Sequence, residues 1–300
     1  SDTETDTQAL ATMSLKDGSI EVLAAHPATD LMPIMSIKEG RSNELIGGAY
    51  EYNGIDVVMF DGVNDTDFQS IVMSLTKAFP NAQVGINSAT LDNKRMILTV
   101  GSANHPTQFY LYDAEQRALS VITQSKPWLD KDTMPQTRII SYESRDGKNI
   151  KALLTLPNDK EAKDLPLILL PHGGPHGIRD SLTRLDSDAK VLAEHGYAVL
   201  QPNFRGSGGY GREFLEAGYK NWGTSMIDDM TDGVMHLVEQ GIADKERMCV
   251  YGASYGGYAA LMSVIREQDL YDCAIGFVGV YDLNMMFNDG DVSEAEAGQN

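Results

Sequence analysis

The chain has 300 residues, 42% apolar and 22% charged, a globular composition with enough core for one large or two ordinary domains. Its 43 acidic and 24 basic residues give a net charge of −19, which argues against nucleic-acid binding through a basic surface and against docking on an anionic membrane. No stretch holds the roughly 20 apolar residues of a membrane-spanning helix. The densest apolar run, Leu165–Pro171, has the pattern of a buried strand.

The chain opens Ser1-Asp2-Thr3-Glu4-Thr5-Asp6, with neither an initiator Met nor a signal peptide, and this start reads as a cut inside a larger protein. Up to residue 136 the pattern is one of short alternating strands. Met13–Leu23 and Phe109–Ile122 look like the same unit, an apolar strand, a polar turn (Lys16–Ser19; Asp113–Arg117) and a second apolar strand. Their offset is about two repeats of the roughly 40–50 residues typical of propeller blades. Two partial copies fit part of a β-propeller and fit unrelated hairpins. Ile55–Phe60 and Arg95–Val100 supply further strands, and Asp67–Phe79 reads as a helix between them.

Lys126–Thr137, with Pro127 and Pro135, reads as a linker. After it the pattern changes. Arg138–Glu143 and Ile150–Leu156 flank Ser144-Arg145-Asp146-Gly147-Lys148 as a hairpin. Then strands Leu167–Leu170, Tyr197–Gln201, Met248–Tyr251 and Ala274–Val280 alternate with helices Asp186–Glu194, Ser225–Gln240 and Tyr255–Arg266. That alternation implies a mostly parallel sheet covered on both faces, with right-handed crossovers.

Gly252-Ala253-Ser254-Tyr255-Gly256-Gly257 lies between an apolar strand and an Ala-rich helix, which is the setting of a nucleophile elbow. Ser254 is the candidate nucleophile. A G-x-S-x-G alone is common, and the plainer alternative is a strand–turn–helix with an incidental serine. In such a site one oxyanion donor is the N–H of the residue after the nucleophile, here Tyr255. The second comes from a loop after an earlier strand. His172-Gly173-Gly174-Pro175 is that loop, and the N–H of Gly174 is the favoured donor. The triad order Ser, then Asp or Glu, then His leaves this chain short, because all six histidines (His26, His105, His172, His176, His195, His236) precede Ser254. Asp269, Asp272, Asp282, Asp289 and Asp291 follow it with no histidine to support, and they read as structural, Asp282 through local loop hydrogen bonds.

Other motifs are set aside. His172 and His176 have helical spacing, but Gly173-Gly174-Pro175 forbids a helix and no cysteine or carboxylate flanks them, so no metal site is expected. Gly206–Gly211 fits G-x-G-x-x-G, but a dinucleotide site wants an acid ending a second strand about 20 residues on. Asp228 and Asp229 sit in the amphipathic helix instead, so no cofactor is expected, and Asn203–Ser207 reads as a loop bordering the active site. Cys249 and Cys273 each open a strand. They read as two buried thiols; a bond between them requires the strands to be parallel neighbours, and favours a periplasmic or other extracytoplasmic location over the cytoplasm.

Five segments in order, Ser144–Gly147, Leu170–Pro175, Gly196–Gln201, Asn203–Ser207 and Gly252–Tyr258, closely resemble the prolyl oligopeptidase family of serine peptidases, nearest its acylaminoacyl-peptidase and dipeptidyl-aminopeptidase-like branch. The resemblance covers residues 137–300. It implies an α/β-hydrolase domain, incomplete at its C-terminal end, over 137–300, preceded by a partial propeller with its linker over 1–136. It also implies Ser254 as nucleophile, the N–H groups of Tyr255 and Gly174 as oxyanion hole, and a triad Asp and His beyond residue 300. Some relatives place a tyrosine hydroxyl in that hole; here the matching residue is His172. The expected substrate is a short peptide, oligomerisation is left open, and the truncated chain alone is expected to be inactive. A carboxylesterase using the same chemistry and a noncatalytic propeller binding module are the alternatives.

Overall fold

The computed structural model describes residues 5–38, 40 and 43–289. Its first part consists of three small antiparallel sheets. β1 (Leu10–Met13) and β2 (Ile20–Ala24) form a hairpin; β3 (Met32–Met35), β4 (Leu45–Glu51) and β5 (Ile55–Met59) form a second sheet in that order. α1 (Thr66–Ala78) follows, opened by Asp65, whose carboxylate accepts from the Phe68 N–H at 3.3 Å. β6 (Gln83–Ala89), β7 (Arg95–Ser102), β8 (His105–Asp113) and β9 (Ala118–Gln124) make a four-stranded meander. Along β7 burial follows the pleat, with Met96, Leu98 and Val100 turned inward. They pack with Phe68 and Leu75 of α1 and with Ile46 of β4, so one core joins the two larger sheets through the helix.

The second part is a six-stranded sheet in the order β10-β11-β13-β12-β14-β15. β10 (Gln136–Glu143) and β11 (Asn149–Leu156) are the expected hairpin, and β10 takes in the end of the stretch read as linker. β12 (Leu165–Leu169), β13 (Ala198–Asn203), β14 (Ala243–Ala253) and β15 (Cys273–Phe277) are mutually parallel, and β11 joins β13 antiparallel. Between them run α2 (Ser187–Glu194), the short α3 (Arg212–Glu216), α4 (Ser225–Glu239) and α5 (Tyr255–Arg266), and α6 (Leu283–Asp289) follows β15. β13 is buried along its whole length because helices cover both faces. Leu167, Leu169, Leu200 and Val250 share a core with Met226, Met230 and Val234 of α4 and with Ala259 and Ala260 of α5. Val199 packs on the other face against Ala189 and Ala193 of α2.

From β12 the chain goes to β13 on one side, then crosses back to β14 on the other. The strand order therefore reverses at β12. The C-terminal ends of β12 and β14 flank that point, where an open parallel sheet leaves a crevice.

One expectation needs correction. Cys249 and Cys273 are not two buried thiols. They face each other in the β14–β15 register and form a disulfide, with Cα atoms 4.7 Å apart. Parallel pairing in this register supplies the proximity that bonding needs, and Cys273 lies at the surface.

The two parts meet around Lys190 of α2, a buried residue. Its ammonium donates to Asn104 Oδ1 (3.0 Å), Pro135 O (2.6 Å) and Thr137 Oγ1 (2.7 Å), which belong to the β7–β8 turn, the linker and β10. Three N–H groups meet three acceptors. Ala103 N–H donates to Leu182 O at 2.7 Å beside them. Replacing Lys190 by Met leaves Pro135 O without its donor and takes one partner each from Asn104 Oδ1 and Thr137 Oγ1, which keep Thr137 N–H and Thr155 Oγ1, so the urea midpoint of Lys190→Met is expected to fall by the equivalent of about 1–3 kcal/mol; an unchanged midpoint contradicts the assignment.

Candidate active site

Ser254 stands between β14 and α5 with φ +58° and ψ −122°. This is a sparsely populated conformation for a residue with a Cβ, so the surroundings must hold it. They do so from both sides. Ser254 N–H donates to Phe277 O of β15 at 3.0 Å, and Ser254 C=O accepts from Tyr258 N–H at 3.1 Å. The flanking glycines leave no room for a side chain: a Cβ at Gly252 would sit 2.4 Å from Gly256 O, and one at Gly256 would sit 2.2 Å from Pro171 O. The side chain of Ser254 is exposed. That of Tyr255 is fully buried, with its hydroxyl donating to Trp222 O at 2.8 Å. The turn thus sends the tyrosine inward and the serine outward. The N–H of Tyr255 opens α5 and has no acceptor among the described residues.

The loop after β12 arrives beside it. Gly173 is the residue against the serine: a Cβ there would lie 3.4 Å from Ser254 Cβ and 3.8 Å from Ser254 Oγ. Gly174 is next, with φ +116°, and a Cβ on it would press Ile178 at 3.0 Å. Its N–H likewise has no acceptor among the described residues. The structure therefore brings Ser254, Tyr255 and the Gly173–Gly174 backbone together, and it gives Gly173 a closer approach than sequence reasoning gave it.

His172 fixes that loop. Its Nδ1 lies 2.7 Å from Gly173 O and its Nε2 lies 2.9 Å from Ser207 Oγ. A carbonyl only accepts, so Nδ1 carries the proton and Nε2 accepts from the Ser207 hydroxyl. Burial pushes the His172 pKa down to about 4 against an opposing pull from Gly173 O, so the ring is neutral at pH 7. With both nitrogens engaged, His172 has none left to take a proton from Ser254. Its ring stacks on Phe204 (4.4 Å between centroids), and Phe204 packs on Tyr255 (5.5 Å). His176 accepts from Trp222 Nε1–H at 3.1 Å and is also held toward its neutral form by burial. The two histidines have separate partners and do not act as a ligand pair.

The 203–207 loop is anchored from below. Arg205 is buried, and its Nε and Nη2 donate to the two oxygens of Asp229 at 2.8 and 2.6 Å, while Nη1 and Nη2 reach Asp146 at 2.7 and 2.8 Å. Hydrogen bonds from Arg205 hold the Asp146 carboxyl down to about 2. Sequence reasoning missed this cluster. Its signal was a carboxylate, Asp229, on the apolar stripe of α4, between Met226 and Gly233.

A short helix, α3, does open just after Gly206–Gly211, as a dinucleotide fingerprint requires. The chain itself fills the place. Asp6 accepts from the Glu213 N–H at 2.8 Å, and Cβ atoms at Gly208 and Gly211 would meet Gly177 and Asp6. Asp282 accepts from Met285 N–H at 2.9 Å, a local loop contact, and Asp272 from Met248 N–H at 3.0 Å, a structural contact joining the chain before β15 to β14. Asp291 lies outside the described residues. No histidine is hydrogen-bonded to Ser254 Oγ among the described residues.

Residues 183–298 match Peptidase_S9, the prolyl oligopeptidase family. Dipeptidyl aminopeptidase BIII of Pseudoxanthomonas mexicana is 36% identical over 220 residues, 71% of this chain and 32% of that protein. Dipeptidyl peptidase family member 6 of Caenorhabditis elegans is 30% identical over 241 residues, 73% of this chain and 32% of that protein. The chain belongs to the prolyl oligopeptidase family, and it spans about a third of the length of these curated relatives. Among solved structures, a puromycin-hydrolyzing peptidase of Mycobacterium tuberculosis aligns with a TM-score of 0.71 at 20% identity, over 98% of this chain and 44% of that one. An acylaminoacyl peptidase of Pyrococcus horikoshii aligns at 0.64 and 20%, over 91% and 41%. At these identities the likeness is one of fold.

Two outcomes test the site. The imidazole of His172, followed by NMR, is expected to titrate at about 4. Ser207→Ala removes the donor to Nε2 and is expected to raise that midpoint; a wild-type midpoint of about 6.5 overturns the burial-driven shift. Gly256→Ala drives a methyl into Pro171 O and is expected to destabilise the protein by more than about 1 kcal/mol, whereas Gly→Ala at an unstrained helical position stabilises it.

Proposed function

We propose that this chain forms part of a serine peptidase of short peptides, with Ser254 as its nucleophile. The observation that carries the reading is the exposed hydroxyl at a strained turn, with the Gly173–Gly174 backbone alongside. Ser254 Oγ attacks the scissile carbonyl, and its proton passes to a histidine. The N–H groups of Tyr255 and Gly174 receive the oxyanion, helped by the N-terminus of α5. The C–N bond breaks, and the proton goes on to the leaving amine. Water then hydrolyses the acyl-enzyme and frees the serine. The engaged nitrogens of His172, the absence among the described residues of any histidine bonded to Ser254 Oγ, and the position of every histidine before Ser254 support a triad Asp and His beyond residue 300.

In this reading residues 137–300 are the hydrolase domain, truncated at its C-terminal end, and residues 1–136 with their linker are part of a propeller. The small antiparallel sheets packed beside the site support a peptidase, since a propeller limits access to short chains. The names of the relatives, dipeptidyl aminopeptidase and dipeptidyl peptidase, point the same way. The Cys249–Cys273 disulfide supports an oxidising, extracytoplasmic compartment.

A fluorophosphonate probe applied to the full-length protein is expected to label Ser254 and to leave Ser254→Ala unlabelled. Ser254→Ala is expected to lower kcat/KM on peptide amides by about three orders of magnitude or more. No labelling returns the protein to a noncatalytic binding role, and turnover of simple esters without peptide amides makes it a carboxylesterase.

A further inference from the structure

Beside the site lies a cleft of about 560 Å³ that the proposed chemistry does not use. One wall comes from the four-stranded sheet, through Thr107 of β8 and through Ser125 and Lys126 after β9. The other is the segment that follows the glycine-rich loop, from Gly177 to Leu185. Its volume suits a few residues of an extended peptide. It is also tied to the site. Ile178, in its wall, is the residue that packs against Gly174. Gly177 N–H donates to Gly206 O and Gly208 N–H to Ile178 O, each at 3.0 Å, so this wall is bound to the loop whose Ser207 holds His172.

The lining is unusual for this chain. The protein carries 43 acidic residues against 24 basic ones, yet the cleft presents Lys126, Arg179 and Arg184 and no carboxylate. Arg179 is already shared with Glu51, at 3.4 Å. Arg184 and Lys126 have no ion pair among the described residues. The Lys126 ammonium donates to the neutral Ser187 Oγ at 2.7 Å and keeps two N–H groups for another acceptor. Two cations with no carboxylate in direct contact thus face an open cavity rimmed by hydroxyls; Asp180 interacts with Arg184 through space but lines no part of the cavity. The negative charge elsewhere does not cancel them, because fields from exposed charges fade over roughly 8 Å at physiological salt.

We propose that this cleft binds a carboxylate of the peptide substrate, with Arg184 and Lys126 as its ligands. The inference rests on the peptidase reading above and adds a substrate class to it: peptides carrying an acidic side chain or a free C-terminus within reach of Ser254. Arg184 offers a planar fork of donors that matches a carboxylate, and Lys126 adds a point charge.

The test is a binding measurement, so that it stands apart from turnover. Full-length Ser254→Ala protein is titrated in a calorimeter with three peptides: tetra-alanine amide, tetra-alanine with a free carboxylate, and the amide with one alanine replaced by glutamate. At least one anionic peptide is expected to bind roughly tenfold tighter than the neutral amide. The free-carboxylate form identifies a terminal carboxylate and the glutamate form an acidic side chain. The preference is expected to vanish in the Arg184→Gln/Lys126→Gln double variant and to shrink in roughly 0.5 M salt. Both residues lie at the surface of a cleft, and unchanged circular dichroism confirms the fold. Equal binding of the three peptides, or a preference that survives the double variant, overturns the proposal. Failure of the peptidase reading shows separately, as an unlabelled Ser254 in the wild type.

Discussion

The carboxylate of Asp229 is fully buried in an otherwise apolar helix face, and such a charge persists only when every lone pair is matched. It is matched. One oxygen accepts from Ser144 Oγ (2.7 Å) and Arg205 Nη2 (2.6 Å), the other from Arg205 N–H (2.9 Å) and Nε (2.8 Å). This one group therefore sets the β10–β11 turn, the loop after β13 and the helix α4 against each other. Ser144, Asp146 and Arg205 are polar residues of motifs far apart in the chain, and their shared reason is this carboxylate. The arrangement specifies geometry more than it adds stability, since a buried ion pair roughly offsets its own desolvation.

From Arg205 the constraint passes upward through contact. Phe204 and Ser207 flank it in the same loop. Phe204 lies between the rings of His172 and Tyr255, and Ser207 bonds His172 Nε2. Three separate chain segments meet in that small column: the loop after β12, the loop after β13 and the elbow after β14. Each presents a different part of one reaction centre, and none is free to shift without the others. A neutral His172 suits this role. A protonated imidazole would turn Nε2 from acceptor to donor and leave the Ser207 hydroxyl to reorient.

The alternating strands and helices after residue 137 were legible because each element carries its own signal: the apolar stripe of α4, and Gly196 and Gly241 just past α2 and α4. The elbow was legible because strand, serine and helix are contiguous. What lay hidden depends on partners distant in sequence. Asp229 reads as one acid on an amphipathic helix until Arg205 is set beside it, 24 residues away. Lys190 is one residue within the helix Asp186–Glu194 until Asn104 and Pro135 arrive from another part of the chain. The cysteine pair turned on register. A one-residue slip of β15 would have pointed Cys273 to the opposite face, and nothing local in Cys273–Phe277 fixes that register. Gly173 and Gly174 were hard to rank because what separates them, the positive φ of Gly174 and the neighbour each approaches, appears only in the folded chain.

The disulfide has a consequence for the strained serine. Cys249 lies five residues before Ser254 on β14, and Cys273 lies four before Phe277 on β15. Five ladder positions run in register from the bond to Ala253↔Phe277, where Phe277 O receives the Ser254 N–H. The covalent link thus fastens the two strands at one end of the ladder while the elbow takes its hydrogen bond at the other. Closing a loop across a separation of 24 residues restricts the unfolded chain, by about 3–4 kcal/mol on the loop-entropy view. That exceeds the roughly 1–3 kcal/mol cost of holding one residue in a strained region. The backbone ladder and the disulfide therefore both act to keep Phe277 O under the serine, and with it the outward set of the hydroxyl.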